Sequence, residues 1–116
     1  SDVCSSDLLR FLLDARRDGR TVGAFGAAAK GNTLLNFAGV RPHLLPWVVD
    51  RNPAKQGKCM PGSRIPIVGP QALEDAPPDF LLVLPWNLAD EVRRELAPLA
   101  ARGTRFVTAV PELRIA

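Results

Sequence analysis

One histidine and two cysteines are scattered through the 116 residues. A zinc site built from Cys and His needs more ligands, and neither Cys4 nor Cys59 has a neighbour at metal-type spacing. The pattern gives a disulfide no support, and two reduced thiols suit a cytoplasmic protein. No apolar run approaches the roughly 20 residues of a membrane span. The opening residues are polar and acidic, unlike a secretory signal. Basic residues exceed acidic ones by 15 to 12, a net charge of +3, but they are dispersed. Without a basic run, a small anionic ligand met by a few placed cations is a better reading than nucleic acid. The chain has no repeat, no low-complexity segment, no nucleophile–base pair and no two carboxylates spaced to share a helix face. It carries no self-sufficient catalytic machinery.

What is present is an ordinary globular composition, 47% hydrophobic, in a length that fits one domain. Residues 1–8, Ser-Asp-Val-Cys-Ser-Ser-Asp-Leu, resemble the in-frame translation of a common sequencing-library adapter. On that reading they are not native, residues 9–116 form the domain, and the chain is the tail of a longer protein. Setting Asp2 and Asp7 aside makes the remainder more basic, with Cys59 its one cysteine.

Residues 8–18 repeat Leu8, Leu9, Phe11, Leu12, Leu13 and Ala15 at helical spacing, with Gly19 as the stop. Thr21–Phe25 reads as a strand, 26–31 as a small-residue loop, Asn32–Ala38 as a helix ended by Gly39, and Trp47–Asp50 as a second strand. A polar, Gly- and Pro-rich loop over 52–63 precedes a short strand, Ile65–Val68, that Pro66 assigns to an edge. Pro70 starts a short helix through Glu74. Asp79–Leu84 is the most continuous apolar strand, as a buried parallel strand should be. Leu88–Arg102 has a helical stripe of Leu88, Val92, Leu96 and Leu99, which Pro98 should kink or split. Arg105–Val110 is a strand, and 111–116 has room for one more at the edge. Alternating strands and helices predict an α/β fold, a Rossmann-like three-layer sandwich with a mainly parallel sheet. Such sheets bind ligands beyond the carboxyl ends of their strands, where the strand order reverses.

Three post-strand loops therefore matter. The first holds Gly26, Ala27, Lys30, Gly31, Asn32 and Thr33. Small residues admit a ligand to the backbone, a helix start attracts phosphate, Lys30 adds a charge, and Asn32 or Thr33 could cap the helix. It is not a Walker loop, because Lys30 precedes Gly31. A tight packing turn explains the same small residues. The second holds Asp50, Arg51, Asn52, Lys55, Gln56 and Lys58. Asp50 follows Gly26 by 24 positions, near the spacing of an acid that accepts a ribose hydroxyl. The three cations suit phosphate, although a solvated loop with Asp50 capping a turn fits as well. In the third, Trp86 offers a stacking face and Asn87 a donor and an acceptor, or a helix cap. His43 and Glu112 read as surface residues.

At these loops the chain resembles the C-terminal domain of S-adenosylmethionine-dependent C-methyltransferases acting on deoxysugars. The matching stretches are 26–36, Val49-Asp-Arg-Asn-Pro-Ala-Lys-Gln-Gly-Lys58, Met60-Pro-Gly62, Ile65-Pro-Ile67, Leu84-Pro-Trp-Asn87 and Phe106–Leu113. Ala24 departs from the pattern, where glycine is expected. The resemblance implies a three-part enzyme in which a zinc-binding region and a central methyltransferase domain precede this segment. The central domain would hold S-adenosylmethionine. The carbon beside a ketone of a nucleotide-linked 4-keto sugar would lose a proton, and the enolate would take the donor methyl. This domain would hold the nucleotide-diphosphate sugar against its own upstream methyltransferase domain. Lys30, Arg51, Lys55 and Lys58 would offset the diphosphate, at about 1.5–3 kcal/mol for each well-placed contact. The reading requires Lys30, Asp50, Arg51 and Trp86 to converge. Two other readings stand beside it: an NAD(P)-binding module, and a non-binding domain that only packs on the methyltransferase domain.

Overall fold

In a computed structural model, residues 2–116 are described, with side-chain surroundings from Ser5 onward. The expectation that Cys4 is a reduced thiol lies outside the described side chains. Helix α1 (Asp2–Arg17) starts earlier than its apolar repeat suggests. Leu8, Leu12 and Ala15, spaced by four and three, form its buried stripe. Strand β1 (Val22–Phe25) is buried throughout, and α2 (Ala29–Ala38) follows after three loop residues. The helix therefore begins three residues before Asn32, so Lys30 and Gly31 belong to its first turn and not to the loop.

Strands β2 (Val48–Val49) and β3 (Ile67–Val68) flank the long polar loop, whose Cys59 forms a single antiparallel bridge to Pro66. Helix α3 (Gln71–Asp75) starts after Pro70. Strand β4 (Phe80–Val83) leads into a 3-10 turn over Trp86–Leu88, then α4 (Ala89–Glu95) and α5 (Ala97–Ala101). The split that Pro98 predicts is present: Pro98 lies at the start of α5, where its missing N–H costs nothing. Leu88 does not join the apolar stripe and is exposed, whereas Val92 and Leu99 are buried. Strand β5 (Arg105–Thr108) is followed by β6 (Arg114–Ile115).

The sheet runs β3-β2-β1-β4-β5-β6. All pairs are parallel except β5 with β6, which is antiparallel. This is the doubly wound order, with its reversal between β1 and β4. Side chains alternate across the sheet. Val22, Ala24, Val48, Ile67, Leu82 and Val107 pack under α1 and α2. Phe25, Val49, Leu81, Val83 and Phe106 pack under α3, α4 and α5 through Leu73, Val92 and Leu99. The result is a Rossmann-like three-layer α/β sandwich. At the amino rim, Thr21 and Asp79 tie β1 to β4: Thr21 N–H donates to Asp79 Oδ2 at 2.8 Å, and Asp79 N–H donates to Thr21 Oγ at 2.9 Å. The carboxyl rim is left to the three loops. Among the described residues no helix is long and apolar enough to cross a membrane.

Candidate functional site

The turn after β1 is shaped by close packing. Gly26 has φ +91°, and a Cβ there would stand 2.6 Å from Pro85 Cδ. Gly31 is buried, and its Cβ would stand 2.7 Å from Leu84 Cβ. Both glycines therefore let α2 and its entry turn press against the end of β4, and the packing explanation accounts for them. Ala28 occupies the N-cap position, no side chain caps the helix, and its first turn contains no acid. Asn32 and Thr33 are thus not caps. Thr33 Oγ donates back to Ala29 O at 3.1 Å, and Asn36 Nδ2 donates to Asn32 Oδ1 at 3.4 Å. Among the described residues no side chain accepts from the first N–H groups of this helix, and Lys30 stands exposed beside them.

The loop after β2 folds back on this turn. Ala27 N–H donates to Asp50 Oδ2 at 2.8 Å, and Asn52 N–H donates to Asp50 Oδ1 at 2.8 Å. Lys55 Nζ donates to Ala27 O at 3.0 Å. Gln56 Nε2 donates to Asp50 O at 2.9 Å. Asn52 Oδ1 accepts from Ala54 N–H at 3.0 Å, closing the local turn. Asn36 Nδ2 donates to Pro61 O at 2.8 Å, fastening the Met60-Pro61-Gly62 bend to α2. Arg51 turns the other way. It forms an ion pair with Glu95 of α4 and lies over the Phe25 ring, 5.2 Å from its centroid.

These contacts leave two clefts. A groove of about 370 Å³ lies between the first two loops and is lined by Ala27, Ala28, Asn32, Lys55, Lys58 and Met60, among others. A larger cleft of about 560 Å³ lies between α4 and the β5–β6 edge. Trp86 and Asn87 form one end of it, and Arg93, Thr108 and Arg114 line the rest. Asn87 is exposed and does not cap α4, which has no side-chain cap at its start. The two clefts share no lining residue, and Lys30, Asp50 and Arg51 line neither. The expected convergence of Lys30, Asp50, Arg51 and Trp86 on one cavity is therefore corrected: Asp50 is bonded to backbone N–H groups, Arg51 pairs with Glu95 at the surface, and Trp86 faces a separate cleft.

Sequence reasoning missed Arg93 and Arg114. Each is paired with a neighbouring acid, Asp90 at 2.6 Å and Glu112 at 2.9 Å. The sequence hint was room for a last edge strand over 111–116, which in the structure is antiparallel and carries Arg114 beside Thr108. His43 and Glu112 are exposed as expected, with His43 O accepting from Arg16 Nη at 3.0 Å. Cys59 is an exposed free thiol.

The fold, the rim loops and the motif-bearing second loop all coincide with a known domain, because the model of the C-methyltransferase C-terminal domain matches residues 2–111. The chain belongs to that family. The C-methyltransferase NovU of Streptomyces niveus is 39% identical over 98 residues, a match covering 84% of this chain and 23% of that protein. The chain thus spans less than a quarter of the length of this curated relative. As a C-methyltransferase C-terminal domain, it gives the conspicuous Asp-Arg-Asn-Pro-Ala-Lys-Gln run a local explanation: Asp50, Asn52, Lys55 and Gln56 each bond the domain's own backbone through a side-chain atom.

Proposed function

We propose that this C-methyltransferase C-terminal domain holds a nucleotide-diphosphate sugar for a parent enzyme that methylates a carbon of a keto-deoxysugar. The four-residue convergence first required is absent, and the reading rests instead on a smaller set: an uncapped helix start beside Lys30, next to a groove lined by Lys55, Lys58 and Asn32. A diphosphate entering such a rim needs its charge offset by donors of this kind. Trp86 and Asn87, with Arg93 and Arg114, supply a stacking face and cations in the neighbouring cleft.

S-adenosylmethionine belongs, on this proposal, to the upstream methyltransferase domain of the parent enzyme. In the present chain both oxygens of Asp50, the acid at the ribose position, already accept from backbone N–H groups, which disfavours a nicotinamide dinucleotide there. The enzyme would act in the cytoplasm, and this segment alone would transfer no methyl group. The proposal that residues 1–8 derive from an adapter rests on the source nucleotides. Both α1 and the family match extend into that stretch, and codons other than the adapter's would retire it.

The packing roles of Gly26 and Gly31 favour a second reading, a domain that binds nothing and only packs on its neighbour. Titration calorimetry with a thymidine diphosphate sugar and with NADH separates the readings. The sugar nucleotide is expected to bind, with Lys30→Ala and Trp86→Ala each weakening it at least tenfold, ~1.4 kcal/mol. Binding of NADH alone supports the dinucleotide module, and binding of neither supports the scaffold.

A further inference from the structure

Ala27 lies in the middle of the rim turn and has no side-chain group with which to fix its own orientation. Both peptide planes flanking it are nevertheless held. Its N–H is taken by Asp50 Oδ2 and its carbonyl by Lys55 Nζ. The holders are held in turn: Asp50 Oδ1 by Asn52 N–H, and Asp50 O by Gln56 Nε2. Gly26 N–H adds a bond to Val49 O at 2.7 Å, anchoring the start of the turn to the end of β2.

We propose that Asp50, Lys55 and Gln56 are positioning residues. They form a buckle that sets the Gly26–Ala29 turn so that the first N–H groups of α2 face the ligand. The proposal rests on the reading of this rim as an anion site and adds a division of labour within it. A carboxylate aimed at a diphosphate would repel it. Here the carboxylate is occupied by two backbone donors, and the ammonium of Lys55 lies on the far side of the same residue, Ala27. The acid can therefore stand beside an anion site because it is part of the frame. Lys55 uses one of its three donors for the frame and still lines the groove with its stem. A preorganised turn spares the ligand the cost of ordering it. Asp50 thus has a different role here from the ribose-binding acid of dinucleotide folds.

Two ligands, one with a ribose and one without, decide the point. Inorganic pyrophosphate and uridine diphosphate are titrated into the wild-type chain, Asp50→Asn, Asp50→Ala and Lys55→Met, and amide hydrogen exchange is followed at Ala27 and Asn52 in each ligand-free protein. The buckle predicts that Ala27 N–H is protected in the wild type and exchanges at least tenfold faster in Asp50→Ala. It also predicts that the Asp50 variants weaken both ligands by the same factor, at least tenfold. Weakening of uridine diphosphate alone, with Ala27 exchange unchanged, would make Asp50 a ribose acceptor and overturn the proposal. If the wild type binds neither ligand, the anion-site reading falls, while protection at Ala27 still decides whether the buckle exists. An unprotected Ala27 in the wild type refutes it even if no variant folds.

Discussion

The loop after β2 and the loop after β4 both leave the carboxyl rim, and both carry the residue types that bind sugars and phosphates. They use them in opposite ways. Between Asp50 and Gln56, carboxylate, amide and ammonium are bonded to backbone atoms of the protein itself. Among the described residues the side chains of Trp86 and Asn87 show no such bonds, and they line an open cleft of about 560 Å³. A conspicuous motif can therefore be a frame, while a sparse one supplies the free surface. The difference follows from position. The loop after β2 must cover a turn made of alanines, which has no polar side chains to secure it. The loop after β4 is fixed by Pro85 against Gly26 and by the 3-10 turn it enters.

This contrast can be broken by substitution. The largest effect is expected at the shared floor beneath both loops, where replacing buried Leu82 with Ala should cost about 2–5 kcal/mol in chemical denaturation, by cavity formation. Gly31→Ala drives a methyl group into Leu84 and should cost about 1–3 kcal/mol by overpacking in the same measurement. If the Asp50 loop is a frame, Asp50→Ala should cost about 1.5–3 kcal/mol of stability through its charge-assisted bonds. Asn87→Ala should then leave stability within about 0.5 kcal/mol, as a surface change does, and act on ligand affinity. Equal stability losses at the two positions would erase the distinction. Arg51→Ala falls between those two: its pair with Glu95 is about half exposed, so its loss should stay within about 1 kcal/mol.

Much of the architecture was legible in the chain. Alternating β and helical periods gave the layers, Pro66 marked an edge strand, and Pro98 marked the break between two helices. The start of α2 was misplaced by three residues because Ala29, Lys30 and Gly31 look like loop when the packing of Gly31 on Leu84 is unknown. The candidate residues could be named from the sequence, but not their partners. Asp50 meets a backbone group 23 positions away and Lys55 one 28 positions away. Local sequence gives no information on whether a charge at such a distance points outward or home. Arg114 escaped notice for a related reason, since the antiparallel return of β6 brings the end of the chain beside Thr108.

Backbone amide chemical-shift mapping with a thymidine diphosphate sugar tests the binding rim most directly. Saturable shifts should cluster at residues 27–32, at 55–58 and around Trp86 and Asn87, with the amino rim near Thr21 and Asp79 unmoved. Shifts confined to the amino rim, or none at millimolar ligand, would contradict it.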